Sequence, residues 1–185
     1  MNLFIRVLYV FISSFFKPKI VDLLSPSLLK LCVLPNDLDF NLHMNNGRYL
    51  TIMDLGRLDL ILRSGLFNIM VQQKSVPILA SAKIRYRLPL DPFQTYMIQT
   101  QILGWDDKWF YIEQRFLLGS GQKQGEVAAI GLVKGCFFDS RHKITVPSAS
   151  VLQSIGYRTE SPPLPAHIID WQRAEETLKD LTKNA

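Results

Sequence analysis

The stretch "GRYLTIMDLGRLDLILRSG", residues 47 to 65, restricts the possible folds more than any other part of the chain. Leu50, Met53, Leu58, Ile61 and Leu62 recur at helical spacing, while Ile52, Leu55 and Leu60 widen the apolar surface well beyond one stripe. A helix apolar around most of its circumference has to be enclosed. Arg63 puts a cation in the last turn and Gly65 supplies a C-terminal stop, so the helix has a defined end.

The walls come from strands. "LLKLCVLP" alternates Leu29, Leu31 and Val33 against Lys30, Cys32 and Leu34, and Pro35 ends it. After the helix, "ILASAKIRYRL" sets Ala82, Ile84, Tyr86 and Leu88 against Lys83, Arg85 and Arg87, which gives one wet face. "TYMIQTQILGW" and "KWFYIEQRFLL" flank Asp106-Asp107 as a hairpin, "GSGQKQG" turns the chain, and "EVAAIGLVKGCFF" reads as a central strand. One strand, one buried helix and four further antiparallel strands predict an α+β domain with a curved sheet wrapped on its helix. With 185 residues and 48% hydrophobic content, one domain has enough apolar material for that core.

Both ends add helices. Residues 1–17 form an N-terminal helix whose run Leu3 to Phe16 is apolar apart from Arg6, Ser13 and Ser14, and that run would extend only about 21 Å against a hydrocarbon core of about 30 Å. The expectation is a helix lying on a membrane surface or on the protein itself, ahead of a tilted span and a cleaved signal. Residues 17–27 form a proline-containing connector, and the domain proper covers 28–147. Residues 148–185 make a helical extension, with Trp171, Ala174 and Leu178 as the expected docking face of its last helix.

Composition removes several function classes. The 21 Lys and Arg against 16 Asp and Glu give a net charge of +5, without a basic run interleaved with aromatics, so nucleic acid is not an expected partner. The two cysteines, Cys32 and Cys136, stand apart in strand patterns and suit a reducing, cytoplasmic setting; the three histidines are scattered, so no metal or cofactor is expected.

Between the first strand and the helix lies "DLDFNLHMNN", residues 37–46, with two carboxylates, three amide side chains and an imidazole. This run, continued by "GRYL", resembles the motif of the hotdog-fold thioesterases related to 4-hydroxybenzoyl-CoA thioesterase, in the subgroup that shares its wording with fatty acyl carrier-protein thioesterases. The resemblance covers roughly residues 28–140. It implies the hotdog fold, a curved antiparallel sheet around a long central helix, and hydrolysis of acyl-CoA or acyl-carrier-protein thioesters. It also implies a homodimer or higher homo-oligomer that builds the site between subunits.

Carried over by position, the resemblance puts the catalytic carboxylate on Asp39, an amide on Asn41 and the histidine on His43. Asp39 can activate water or attack the carbonyl, Asn41 can hold the water, and His43 can orient the carboxylate or share its proton. Asn45, Asn46 and Gly47 form the helix start, where an asparagine caps and backbone N–H groups can polarise the thioester oxygen. Tyr49 and Asp54 are supporting candidates, with core packing and an Arg57 ion pair as their plain structural roles. Lys83, Arg85 and Arg87 can meet coenzyme A phosphates or form a solvated strand face. Asp37 reads as a solvated turn residue.

Two rivals share the fold. A hotdog hydratase carries a proline in its motif and sets its histidine five residues after the aspartate; here the spacing is four and "MNNGRYL" follows. A non-catalytic acyl- or lipid-binding protein would use the same pocket without turnover, and "AKIRYRLPLDPF" lacks the glutamate or cysteine that carrier-protein thioesterases place on later strands.

Overall fold

The structure is a computed structural model that describes residues 2–183. Asn46–Arg63 form α2, which buries Tyr49, Ile52, Met53, Leu55, Leu60 and Leu62 on several faces, as an enclosed helix must. Asn45 caps it through an Oδ1 that accepts the Gly47 amide at 2.8 Å. Gly65 ends it at φ +84°, a left-handed conformation that glycine adopts without a Cβ penalty. Midway, a Cβ on Gly56 would lie 2.5 Å from Thr100 Oγ1 and 2.7 Å from Gln114 Nε2. Glycine there lets the helix axis settle directly onto the sheet.

The sheet comprises β1 (Ser27–Cys32), β2 (Ser75–Tyr86), β3 (Thr95–Trp105), β4 (Phe110–Leu118), β5 (Val127–Asp139) and a short β6 (Ile144–Val146). Every pairing is antiparallel, in the order β1-β3-β4-β5-β2, with β6 on β5. The strands stand where the alternation put them, but β2 and β3, neighbours in sequence, do not pair. The link "RLPLDPFQ" between them holds two prolines and is too long for a tight hairpin, so the chain crosses to the far side of the sheet.

As an edge strand, β2 is exposed over Val76–Ala80 and turns its lysine and arginine side chains outward, while Ala82 and Ile84 pack on the core. A helix absent from the sequence reading, α3 (Leu66–Gln73), precedes it and buries Leu66 and Ile69. The spacing of Leu66, Ile69 and Met70 was its only signal.

The main core lies between α2 and the concave face, and includes Tyr49, Ile52, Met53, Tyr96, Ile98 and Phe116. A second cluster around Trp105, Phe110 and Phe137 joins α3 and α4 (Ser148–Ser154) to the C-terminal half of α2. On the convex face, α5 (Ala166–Lys183) seats Ile168 and Trp171 against Tyr111. Trp171 docks as expected, whereas Ala174 and Leu178 are exposed. Ser81 of β2 donates to Glu175 at 2.9 Å, so α5 has reached the sheet edge there and its later turns have no strand beneath them.

At the other end, α1 (Asn2–Ser14) packs along α2. Its polarity is inverted: Arg6 and Ser14 are buried with Val10, while Phe4, Ile5, Leu8, Tyr9 and Ile12 are exposed. Among the described residues no helix is long and apolar enough to cross a membrane.

Candidate active site

The chain leaves β1 through one turn of 3-10 helix, Pro35–Asp37, and makes a closed loop before α2. A single antiparallel bridge between Leu38 and Met44 forms the neck of this loop, and the Asn45 amide donates to the Asp37 carbonyl at 2.8 Å just below it. Inside, the Asp39 amide donates to the His43 carbonyl at 2.9 Å and the Leu42 amide to the Asp39 carbonyl at 3.1 Å. This reversal requires φ +58° at Leu42, a conformation that costs a branched residue about 1–2 kcal/mol.

The loop presents the Asp39 carboxylate. Its Oδ1 accepts the Asn41 amide at 2.8 Å and faces the His43 amide at 3.5 Å. The half-buried group is therefore oriented by backbone, in the loop that leads directly into α2, whose N-terminal dipole favours negative charge. The Asn41 side chain is exposed. The His43 ring turns the other way, with Nε2 3.6 Å from Asp91 on the β2–β3 link, and the same link accepts the Met44 amide at Leu90, 2.9 Å away.

Beneath the loop, Tyr49 is buried against Tyr86 and Phe116, with ring centroids 5.1 and 4.8 Å away. Burial pushes its hydroxyl up to about 12, helped by Tyr86 and Asp39, so it stays neutral. Tyr86 donates to the Asn46 carbonyl at 2.9 Å and ties β2 to the helix start.

A cavity of about 350 Å³ runs beside α2, walled by residues such as Leu55, Leu58, Ile61, Met70, Ile78 and Phe137. Its polar members are Asp54 and Arg57, which form an ion pair; Arg57 also donates to Gln114 at 2.8 Å, and Gln114 is anchored on Thr100 and the Met53 carbonyl, each at 2.9 Å. From Asn46 to Asp54 is eight residues, about 12 Å along the helix. Among the described residues no group of three or more His, Cys, Asp or Glu side chains is placed to hold a metal ion.

Residues 33–172 match the thioesterase-like superfamily. The chain belongs to that superfamily. Protein THEM6 of Xenopus laevis is 38% identical to it over 169 residues, 91% of this chain and 77% of that protein. The probable thioesterase YbaW of Escherichia coli superposes with a TM-score of 0.63 at 23% identity, covering 69% of this chain and 94% of the other. The gentisyl-coenzyme A thioesterase BH1999 gives 0.60 at 22%, covering 69% and 99%. Those structures share its fold, the curled antiparallel sheet and helix of the hotdog thioesterases, and membership makes the chain a thioester hydrolase.

In this hotdog thioesterase the motif residues gather in one loop, but not all in the expected relations. Asp39, Asn41 and His43 share it, although the His43 ring faces Asp91 and only its amide faces Asp39. Asn45 alone caps the helix; Asn46 is its first residue. The Gly47 amide, expected to be free for the thioester oxygen, is held by Asn45. Asp54 is remote from the loop within one chain. Lys83 and Arg85 are exposed along β2, and Arg87 pairs with Glu126 at 3.0 Å.

The largest correction concerns Asp37, which is 0% exposed. Arg6 donates both terminal nitrogens to its two oxygens, Arg48 donates from Nε at 3.0 Å and Nη2 at 2.8 Å, and the Leu34 amide donates at 2.9 Å. Burial by itself would raise this carboxyl, but hydrogen bonds from Arg6, Leu34 and Arg48 leave it below the usual carboxylate value. The sequence signal was a lone arginine in an apolar run, whose partner lies 31 residues away.

Proposed function

We propose that the chain hydrolyses acyl-coenzyme A thioesters, with Asp39 as the reacting carboxylate and the N-terminus of α2 stabilising the oxyanion. The observation that carries this reading is the Asp39 carboxylate, pinned by the Asn41 amide at 2.8 Å in the loop that leads into that helix. As general base, Asp39 takes a proton from water as the water oxygen attacks the thioester carbonyl. The C–S bond then breaks and the thiolate takes the proton back. As nucleophile, it forms an acyl anhydride that water opens. In either route the dipole at the start of α2 favours the carbonyl oxygen as it gains charge in the transition state, since the Gly47 and Arg48 amides are already held by Asn45.

The cavity supports an acyl substrate, because its walls are apolar and its volume suits a small-molecule group. The coenzyme A thioesterase among the structural relatives supports the thiol. Loop and cavity are separated along α2 within one chain, while Ile78, on the exposed edge strand β2, forms part of the cavity wall. Phe40 at the tip of the loop is fully exposed and Leu42 is 66% exposed. These surfaces support a homodimer in which β2 pairs with its copy and each loop serves the shared cleft. The apolar outer face of α1 supports seating on a membrane surface, with Lys17 and Lys19 just beyond it.

The test is thiol release from a panel of acyl-coenzyme A esters of different chain length. The expected result is turnover by the unmodified chain and a loss of about 100-fold or more in Asp39→Ala. Activity surviving intact in that variant would refute the assignment. Single turnover in labelled water tests for the covalent route, since label enters Asp39 only from an anhydride that water opens at the Asp39 carbonyl.

A further inference from the structure

Arg6 is the only charged residue of α1, and it points inward. Its Nη2 donates to the Cys32 carbonyl at 3.0 Å as well as to Asp37, so one guanidinium reaches both the end of β1 and the residue preceding the loop. Asp37 in turn holds the first turn of α2 through Arg48 and the loop neck through the Asn45 amide. Three elements therefore converge on one buried carboxylate, and the loop that presents Asp39 is suspended between its two nearest fixed points, Asp37 and Asn45.

Packing alone does not call for this arrangement. Burying an ion pair costs as much as or more than its attraction returns, and an apolar side chain at position 6 would fill the same space between α1 and α2. The forked geometry of arginine on a carboxylate gives direction instead, by setting the angle of two planar groups. What it directs here is the neck of the loop, two residues from Asp39.

We propose that Arg6 is a positioning residue of the active site: through Asp37 it fixes the loop that presents Asp39, which makes the N-terminal helix a working part of the catalytic apparatus. This rests on the assignment of Asp39 above. Arg6 touches no substrate, so its contribution falls on the turnover step; Leu3 and Val7 of the same helix line the acyl cavity, and their effect is read separately in KM.

The experiment compares the unmodified chain, Arg6→Gln and Arg6→Lys, using turnover of one acyl-coenzyme A ester and backbone amide exchange. In Arg6→Gln, kcat is expected to fall about tenfold to a hundredfold, the scale set by a small misplacement of a reacting group. KM stays within about twofold. Exchange at residues 38–46 accelerates about tenfold or more while β3, β4 and β5 keep their protection. Arg6→Lys, which keeps the charge without the fork, folds and recovers part of the lost kcat.

An unchanged kcat, a loss carried by KM alone, or exchange that accelerates equally across the sheet would overturn the proposal, the last by showing a purely structural role. Should Arg6→Gln not fold, Arg6→Lys carries the same comparison, with intermediate kcat and faster loop exchange expected and unchanged values overturning it. If Asp39→Ala proved fully active, the catalytic assignment would fail by itself. Loop exchange in the Arg6 variants would still show whether the arginine holds the loop.

Discussion

Asp37 shows how one buried side chain makes the molecule sensitive to acid. Its carboxyl sits below the ordinary value, so the folded state binds its proton less readily than the unfolded chain. The resulting stability is complete above the unfolded value of about 4 and is lost as pH falls through the lower folded value. In urea titrations from pH 5 downward, the unmodified chain is expected to lose stability with a slope that Asp37→Asn reduces by about one proton, at most about 1.4 kcal/mol per pH unit. Equal slopes would mean that Arg6 and Arg48 do not favour the charged form. At this scale Asp39, Asn41 and His43 lie within five positions and were singled out by resemblance to the thioesterase motif, and one loop holds all three. Asp37 was not, since the arginine that removes it from solvent belongs to a helix 31 residues upstream.

The elements were legible wherever the hydrophobic period ran long. α2, the hairpin β3–β4 and the long β5 follow from their patterns, and the left-handed Gly65 closes α2 where a glycine stop was expected. α3 is only eight residues long, and so short a pattern merges with the start of the next strand. The inverted α1 lies between these cases, because its helical character is plain in the sequence but its polar side turns inward only through a distant contact. The exposed face is expected to seat on anionic lipid. Phe4→Ser combined with Phe16→Ser should lower the partition onto phosphatidylserine-containing vesicles, read by co-sedimentation, by about a hundredfold, on the scale of two large apolar side chains withdrawn from an interface. Co-sedimentation unaffected by the pair would assign that face to another partner.

For the molecule as a whole, the strand order was the hidden part. Alternation identifies strands but does not say which edges meet, and here the decisive segment is a proline-bearing link that carries β3 away from β2. That crossing leaves β2 unpaired along one side, and the proposed assembly follows from it. Val76 lies on that edge outside the cavity wall, so Val76→Lys tests pairing without altering the pocket. Light scattering is expected to give a dimer mass for the unmodified chain and a monomer for the variant, with turnover lost alongside. A fully active monomer would mean that one chain completes the site.

The inward arginine and outward phenylalanines of α1 set solubility against activity. The region that an engineer would delete first to obtain a better-behaved protein in water is also the one that neutralises the carboxylate beneath the loop that presents Asp39. A shortened chain would start with Asp37 relying on Arg48, and the gain in handling would be offset at the active site. Sparing position 6 and exchanging only the outward residues separates the two properties.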